Sequence, residues 1–467
     1  MIYTTDNYTI DRPIEVIRQS ADREKILNNK QYFCIANKNP KELFVSLGKY
    51  KIGKENILFT FIEEKEQDDE LIIVIEKRNN HYVARTGNFI GRFTYDGLQI
   101  DIRSRFPDTF LQRMLNYAND VYLDDMSLFE AKEEKNLEID YSKYVLYYMF
   151  IQKLEKAFLL GLPKTYTTVY HHEMKLKGNI HINRFIKHDI PFKGKISSVS
   201  REQREIQEII DVLYKAVSII DKEKQTFSTK NISHIKTHLK QYRSKQYISN
   251  VVIQQAINSK ALQNPIFSPY KSVLEYAKLI IESSTLREKE KESKQTFGFL
   301  VNVANLFEIY LYKLIQKEFL DWKVEHEPNI ELYPNNFYER KIKPDIVMIR
   351  DKQVIVFDAK YKRMLFRGRK KNIWDVDRDD FFQIHTYMSY YQNKGYEVLA
   401  GGLLYPMEGE FTQNDCYSEN WLGNDKTSFI VDGIDLYMIG NDSTMLDIKK
   451  KEDAFIVRLK RLIEDKE

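Results

Sequence analysis

Three features of the sequence predict an α+β multidomain protein with a β-rich N-terminal domain, a helical middle and a C-terminal α/β domain. Short β-branched and aromatic runs fill residues 1 to about 130, long apolar stripes at helical spacing occupy 141–284, and 295–467 alternates the two patterns. The expected divisions are 1–135 as a β-rich N-terminal domain, 136–290 as a mainly helical region, and 291–467 as an α/β domain. The boundary near 290 rests on the charge run Arg287–Lys294, which reads as a linker or an exposed helix turn.

In the first region, strand-like runs lie at Leu43–Leu47, Ile57–Ile62 and Leu71–Ile75, the last two separated by an acidic loop over Glu63–Glu70. Asp96-Gly97, flanked by alternating apolar residues from Gly91 to Ile102, predicts a hairpin with a type I′ turn. After Pro107 the spacing becomes helical over Phe110–Ala118. Amphipathic helices are expected over Tyr144–Leu160 and Arg204–Ile220, with an extended stretch from Leu176 through the basic segment that follows Ile182. His171, His172, His181 and His188 fall in this middle region without a metal-binding spacing and are expected to be structural or surface residues. The last region predicts a helix over Phe297–Phe319, a hairpin, a helix over Asp380–Gln392, a buried strand over Val398–Tyr405 and a terminal helix over Asp453–Ile463.

With 43% hydrophobic and 30% charged residues, the chain has the composition of a folded, soluble protein. A formal charge of +4 over 467 residues means that any nucleic-acid surface must be a local patch. Cys34 and Cys416 are far apart with no paired spacing, which argues against a disulfide framework or a structural zinc site. The N-terminus lacks a basic segment followed by an apolar one, and no apolar run reaches the ~18 residues of a membrane span, so a cytoplasmic protein is expected.

The centre of the reading is the hairpin. Ile346–Ile349 and Val354–Phe357 flank the polar turn Asp351-Lys352, a register that sets Asp345 opposite Asp358 and puts Lys360 on the Asp358 face. Two carboxylates ~5 Å apart repel by about 3 kcal/mol at an effective dielectric of 20, so the pairing gains a fold nothing unless a cation lies between them. Mg2+ suits such a pair, because it takes oxygen ligands and is commonly held by one or two carboxylates plus phosphate. Lys360 could then orient or deprotonate a water beside a scissile phosphate. Glu308, on the preceding helix, could reach the pair as a further ligand, and Gln383 and Tyr387 share a helix face at i and i+4. Lys362, Arg363, Arg367, Arg369, Lys370 and Lys371 follow directly, with Tyr361 and Phe366 interleaved; this basic run suits sequence-independent contact with DNA phosphates. No GxxxxGK[ST] loop is present, and Gly423–Ser428 lacks its first glycine and spacing, so a nucleotide-driven system would need its motor on another chain.

Pro344-Asp345, Asp358-Ala359-Lys360, Glu308 and Gln383-xxx-Tyr387 together resemble the PD-(D/E)XK nuclease superfamily in its RecB-like form. Within it, Asn305–Glu308, Asp358–Lys362, Leu403–Pro406, Gly87-xxx-Gly91 and Phe110–Ala118 are similar to the McrC family of restriction subunits and its LlaJI-type relatives. The resemblance implies a C-terminal restriction-endonuclease-like domain that cleaves double-stranded DNA with Mg2+ for phage defence. Its partner would be an McrB-like AAA+ GTPase hexamer that binds the GTP and is stimulated by the N-terminal part of this chain. Asp345, Asp358 and Glu308 would be metal ligands, Lys360 the water-orienting residue, and Gln383 and Tyr387 supporting residues. Two other readings stand beside this one: a bridging, GTPase-activating subunit without catalysis of its own, and a stand-alone RecB-like repair nuclease.

Overall fold

In a computed structural model the chain divides into two compact units, one holding residues 1–127, 140–142 and 294–467 and the other 128–139 and 143–293. The structure describes residues 1–9, 12–17, 32–36, 49–53, 60–61, 71–79, 81–95, 98–118, 141–222, 232–289, 297–333, 340–362, 364, 366–367, 372–373, 376–408, 416–440 and 443–466. The expected strand Leu43–Leu47, the acidic run Glu63–Glu70 and the Asp96-Gly97 turn lie outside these residues.

In the first unit, a seven-stranded sheet runs in the order Glu15–Ile17, Phe33–Ala36, Ile2–Thr5, Leu98–Arg103, Phe89–Tyr95, Phe297–Asn302, Thr60–Phe61. Phe89–Tyr95 and Leu98–Arg103 pair antiparallel with Tyr95 opposite Leu98, as the Asp-Gly signal requires. The strand Phe297–Asn302 corrects an expectation, since the helical spacing was read from Phe297 onward. It pairs instead with Phe89–Tyr95, Leu300 facing Gly91, and the helix starts only at Val303. Asn302 makes the switch: its Oδ1 accepts the N–H groups of Ala304 and Asn305 at 3.0 and 3.3 Å, an N-cap that a periodicity argument does not see. A strand from the late part of the chain is thereby built into the N-terminal sheet.

The rest of this unit follows from α1 (Val303–Glu318) through β1 (Lys323–His326), β2 (Ile346–Arg350), β3 (Gln353–Ala359), α2 (Arg378–Asn393), β4 (Glu397–Met407), β5 (Tyr417–Trp421) and β6 (Asn424–Asp435) to α3 (Met445–Glu464). The sheet order is β1-β2-β3-β4-β6-β5; β1, β2 and β3 are antiparallel neighbours, while β3, β4 and β6 run parallel. Strands β3 and β4 are apolar nearly throughout because both faces are covered. Gly401 in β4 lets α2 approach closely, for a side chain there would collide with Met388.

The N-terminal helix Asp108–Ala118 meets α1 and α3 at a buried cluster. Arg113 donates to Glu452 at 2.8 and 2.6 Å, and the Tyr310 hydroxyl donates to the same carboxylate at 2.8 Å. The two ends of the sequence are thus joined through one ion pair, whose partners are each almost fully enclosed.

The second unit is less helical than its apolar stripes predict. Helices Tyr141–Phe158, Gln207–Lys222, Ser233–Tyr242, Asn250–Ile257 and Tyr270–Lys289 account for most of it. Lys164–Glu173 and Ile196–Glu205, however, form a ten-residue antiparallel ladder, with Asn179–Ile180 added at its edge. The basic segment after Ile182, expected to be extended, is a helix over Ile182–His188 that starts at His181, whose Nδ1 accepts the Arg184 N–H at 3.2 Å. The same cap gives His181 a structural role. Among the described residues, no helix is long and apolar enough to cross a membrane.

Truncating Glu452 to Ala leaves the Arg113 guanidinium buried without its carboxylate. The expected cost is about 3–5 kcal/mol, read as a lower urea midpoint with an unchanged slope. A loss below about 1 kcal/mol would show that the ion pair does not join the two ends.

Candidate active site

The β2–β3 ladder pairs Ile346 with Phe357 and closes at Arg350 and Gln353, the register expected for the hairpin. Asp351, in the left-handed region at φ +53°, makes the tight turn. One step beyond the ladder, Asp345 and Asp358 come together with both side chains buried. Asp345 accepts the Ala359 N–H at 2.7 Å, which locks the end of β3 against the start of β2. Burial, and then the charges of Asp358 and Glu308, hold the Asp345 carboxyl well above the usual carboxylate range.

Lys360 lies at the centre of a polar chain. Its Nζ is 2.6 Å from Asp358 Oδ2, 2.9 Å from Gln383 Oε1 and 3.5 Å from Asp380 Oδ1. Burial works against its charge, but Asp358, Asp380 and Asp345 outweigh that and raise its pKa above the ordinary lysine value. Lys360 is therefore an ammonium at neutral pH, suited to orienting a water or a phosphate oxygen and not to removing a proton. Gln383 donates to the Tyr387 hydroxyl at 2.7 Å, and that hydroxyl donates to the Lys343 carbonyl at 3.1 Å. Burial and the nearby Asp358 charge push the Tyr387 phenol up to about 12, so it stays protonated and can donate. The i, i+4 pair on α2 thus holds Lys360 at one end and the entry to Asp345 at the other.

Glu308 on α1 groups with His326 and Glu327, at the end of β1, with one ligand atom from each within 4.8 Å of the others. Glu327 also donates its backbone N–H to the Asp345 carbonyl at 3.1 Å, which ties this cluster to the aspartate pair. Carboxylate oxygens supplied by buried and half-buried groups, with one imidazole beside them, form a donor set that fits a hard divalent cation such as Mg2+ or Mn2+.

Glu308, Asp345, Asp358, Lys360, Gln383 and Tyr387 are thus brought into one neighbourhood. Among the basic residues, Lys362 is turned toward α2, its Nζ 2.8 and 3.0 Å from Asp380 and 3.6 Å from Asp377. Arg363, Arg369, Lys370 and Lys371 lie outside the described residues, and Arg367 is placed only as part of the short strand Phe366–Arg367. Three residues escaped sequence reasoning: His326, Glu327 and Asp380. The first two sit in a polar run with no motif spacing, and Asp380 resembles an ordinary acidic residue in the first turn of a helix.

A family model described as the McrBC 5-methylcytosine restriction system component matches residues 84–406, more than half of the chain. The chain belongs to the McrBC family. The match takes in the N-terminal hairpin, the whole second unit and the site from Glu308 to Tyr387. No curated protein matches. Two solved assemblies from Thermococcus gammatolerans are similar to parts of the chain. McrC bound to McrB AAA+ hexamers in a tetradecameric assembly is 15% identical at a TM-score of 0.49, covering 83% of this chain and 85% of that one. The McrBC complex is 16% identical at a TM-score of 0.30, covering 52% and 70%.

Asp345 holds its proton to a higher pH when folded than when unfolded. Between its ordinary value of 3.8 and the raised one, the folded state therefore binds more protons, and metal-free stability falls as pH rises through that window. Asp345→Asn removes this loss. In EDTA at about pH 8 it is expected to raise stability by on the order of 1 kcal/mol or more; a midpoint below that of the unaltered chain would contradict the assignment.

Proposed function

We propose that this McrBC-family chain is the McrC-like subunit of a GTP-driven restriction system, a Mg2+-dependent endonuclease for double-stranded DNA. The observation that carries the reading is the Lys360 ammonium held 2.6 Å from Asp358, in a buried pocket where Asp345 and Asp358 crowd two carboxylates together. The succession α1-β1-β2-β3-α2-β4, with Asp345 just before β2, Asp358 in β3, Lys360 just after it and their support on α2, supports a PD-(D/E)XK nuclease domain.

Asp345, Asp358 and Glu308 would hold the cation. When bound, Mg2+ supplies Lewis acidity and offsets the charge that builds on a phosphodiester under attack. Lys360 points a hydrogen-bond donor at the attacking water or a phosphate oxygen, and Asp358 keeps that donor charged. Gln383 and Tyr387 restrict the flexible lysine to one position, which lowers the entropic part of the barrier. The basic run through Lys371 would neutralise phosphates on either side of the cut.

The partner in this reading is an AAA+ GTPase, as McrB hexamers are for McrC in Thermococcus gammatolerans. Outside residues 1–135, the part the resemblance implies for docking, the ladder Lys164–Glu173 with Ile196–Glu205 and its helix Ile182–His188 support a further docking surface. That helix buries none of its side chains, and Met174, Ile182, Ile186, Ile190 and Phe192 are all more than half exposed. The same surface favours, as a second reading, a bridging subunit whose main task is to stimulate the GTPase.

Plasmid cleavage by the purified chain with Mg2+, with and without the partner and GTP, on methylated and unmethylated DNA, separates the two. In the nuclease reading Asp358→Ala abolishes cleavage and leaves GTPase stimulation intact; cleavage that persists in Asp358→Ala rejects the site. GTP hydrolysis accelerated without any cut by the unaltered chain supports the bridging subunit. Replacing Ile182, Ile186 and Phe192 with Ser is expected to weaken partner binding by at least about tenfold with little change in thermal stability. Unchanged partner affinity would remove this surface from the docking site.

A further inference from the structure

The residue immediately after Lys360 is held by the N-terminal strands, and nothing in the nuclease reading accounts for that grip. Tyr361 is almost fully buried. Its backbone carbonyl accepts the Asn7 side-chain N–H at 2.9 Å, across a separation of 354 residues. Its ring lies 4.7 Å from the Arg105 guanidinium, which stacks equally on Phe106 at 4.8 Å. Phe106 and Phe307 meet the same ring at centroid distances of 5.7 and 5.8 Å, and Phe307 directly precedes Glu308.

The Arg105 guanidinium is enclosed between ring faces, with Glu408 as its ion-pair partner at 3.7 Å. Asp6, wholly buried, accepts the Arg105 backbone N–H at 2.6 Å and fixes the loop that carries it. Enclosing a guanidinium in this way costs free energy that a hydrophobic residue of similar size would not, so the arrangement is a poor choice for stability alone. Ring stacking does, however, set the plane of Tyr361 in a way an aliphatic contact cannot.

On its other side, Lys360 donates its backbone N–H to the Leu404 carbonyl at 2.8 Å. The backbone around Lys360 is therefore anchored on both sides, its own N–H by β4 and the next carbonyl by Asn7, just beyond the strand Ile2–Thr5. Only the four-carbon side chain is left to be restrained by Asp358 and Gln383. We propose that Asn7 and Arg105 are positioning residues for Lys360: through Tyr361 they set where its ammonium stands relative to Asp358. The N-terminal sheet is then part of the active-site framework, not only a module attached to it. This inference rests on the nuclease reading for its consequence in catalysis, but the geometry it asserts can be measured separately.

The test uses the full-length chain with Asn7→Ala, Arg105→Lys and Asp358→Ala, and two readouts. The first is kcat and KM for plasmid cleavage. The second, in EDTA, is the rate at which an amine-acylating reagent modifies Lys360, followed by mass spectrometry with Lys323 and Lys352 as internal references. Asn7→Ala and Arg105→Lys are expected to lower kcat by about tenfold or more with KM changed less than about twofold, and to speed acylation of Lys360 alone. Unchanged kcat and unchanged Lys360 acylation in Asn7→Ala and Arg105→Lys overturn the proposal. So does acylation that rises equally at Lys323 and Lys352 with a lower unfolding midpoint, since that is general loosening. If Arg105→Lys does not fold, Asn7→Ala decides, because it removes one hydrogen bond from a partly exposed side chain. If the unaltered chain cuts no DNA, the nuclease reading fails and the acylation rates alone decide whether Lys360 is positioned from the N-terminal strands.

Discussion

The crowding of Asp345 against Asp358 is the constraint on which the rest of the site depends. Two carboxylates enclosed at the end of a β-hairpin carry a charge that the surrounding apolar sheet cannot solvate, and everything nearby answers to it. The Ala359 N–H is given to Asp345, the Lys360 ammonium is drawn onto Asp358, and burial together with the Asp358 charge holds the Asp345 carboxyl well above the usual carboxylate range.

The lysine is restrained from several directions at once. Asp358 and Asp380 keep it charged, Gln383 receives one of its hydrogens, and Tyr387 passes that restraint back to the Lys343 carbonyl just before Asp345. The result is a closed circuit from β2 to α2 and back to β3. A circuit of this kind localises a flexible side chain without demanding that the whole domain be rigid. Helix α2 can close it because Gly401 lets the helix sit tight on β4.

The chain, a member of the McrBC family, has one compact unit that carries the buried aspartate pair and a second that bears exposed apolar side chains. The first unit is assembled from both ends of the sequence. The strand Phe297–Asn302 lies in the N-terminal sheet, Arg113 meets Glu452, and Asn7 meets Tyr361. The second unit is inserted between those ends. An insertion of that sort can leave the enclosing unit's own core intact.

Local pattern determined a good part of this protein. The β2–β3 register, the i, i+4 placement of Gln383 and Tyr387, the hairpin around residues 96 and 97, the helices over 108–118 and 378–393 and the later part of the helix over 445–464, expected only from Asp453, all follow from short-range periodicity and turn chemistry, which depend on neighbours a few residues away. Those rules brought Asp345, Asp358 and Lys360 together on paper because a hairpin is itself a local object. They misread Phe297–Asn302 as the start of a helix, because its apolar content fits either period and only the vacant edge of Phe89–Tyr95 selects a strand. His326, Glu327 and Asp380 were invisible for a related reason: each acquires its meaning from a partner far along the chain. The grip of Asn7 and Arg105 on Tyr361 spans most of the sequence, and no periodicity encodes a contact of that separation. What the sequence determined alone was the register of the hairpin and the residues at its end; what tertiary structure decided was which distant segments would hold it still, since that depends on which sheet edges and ring faces meet once the chain has folded.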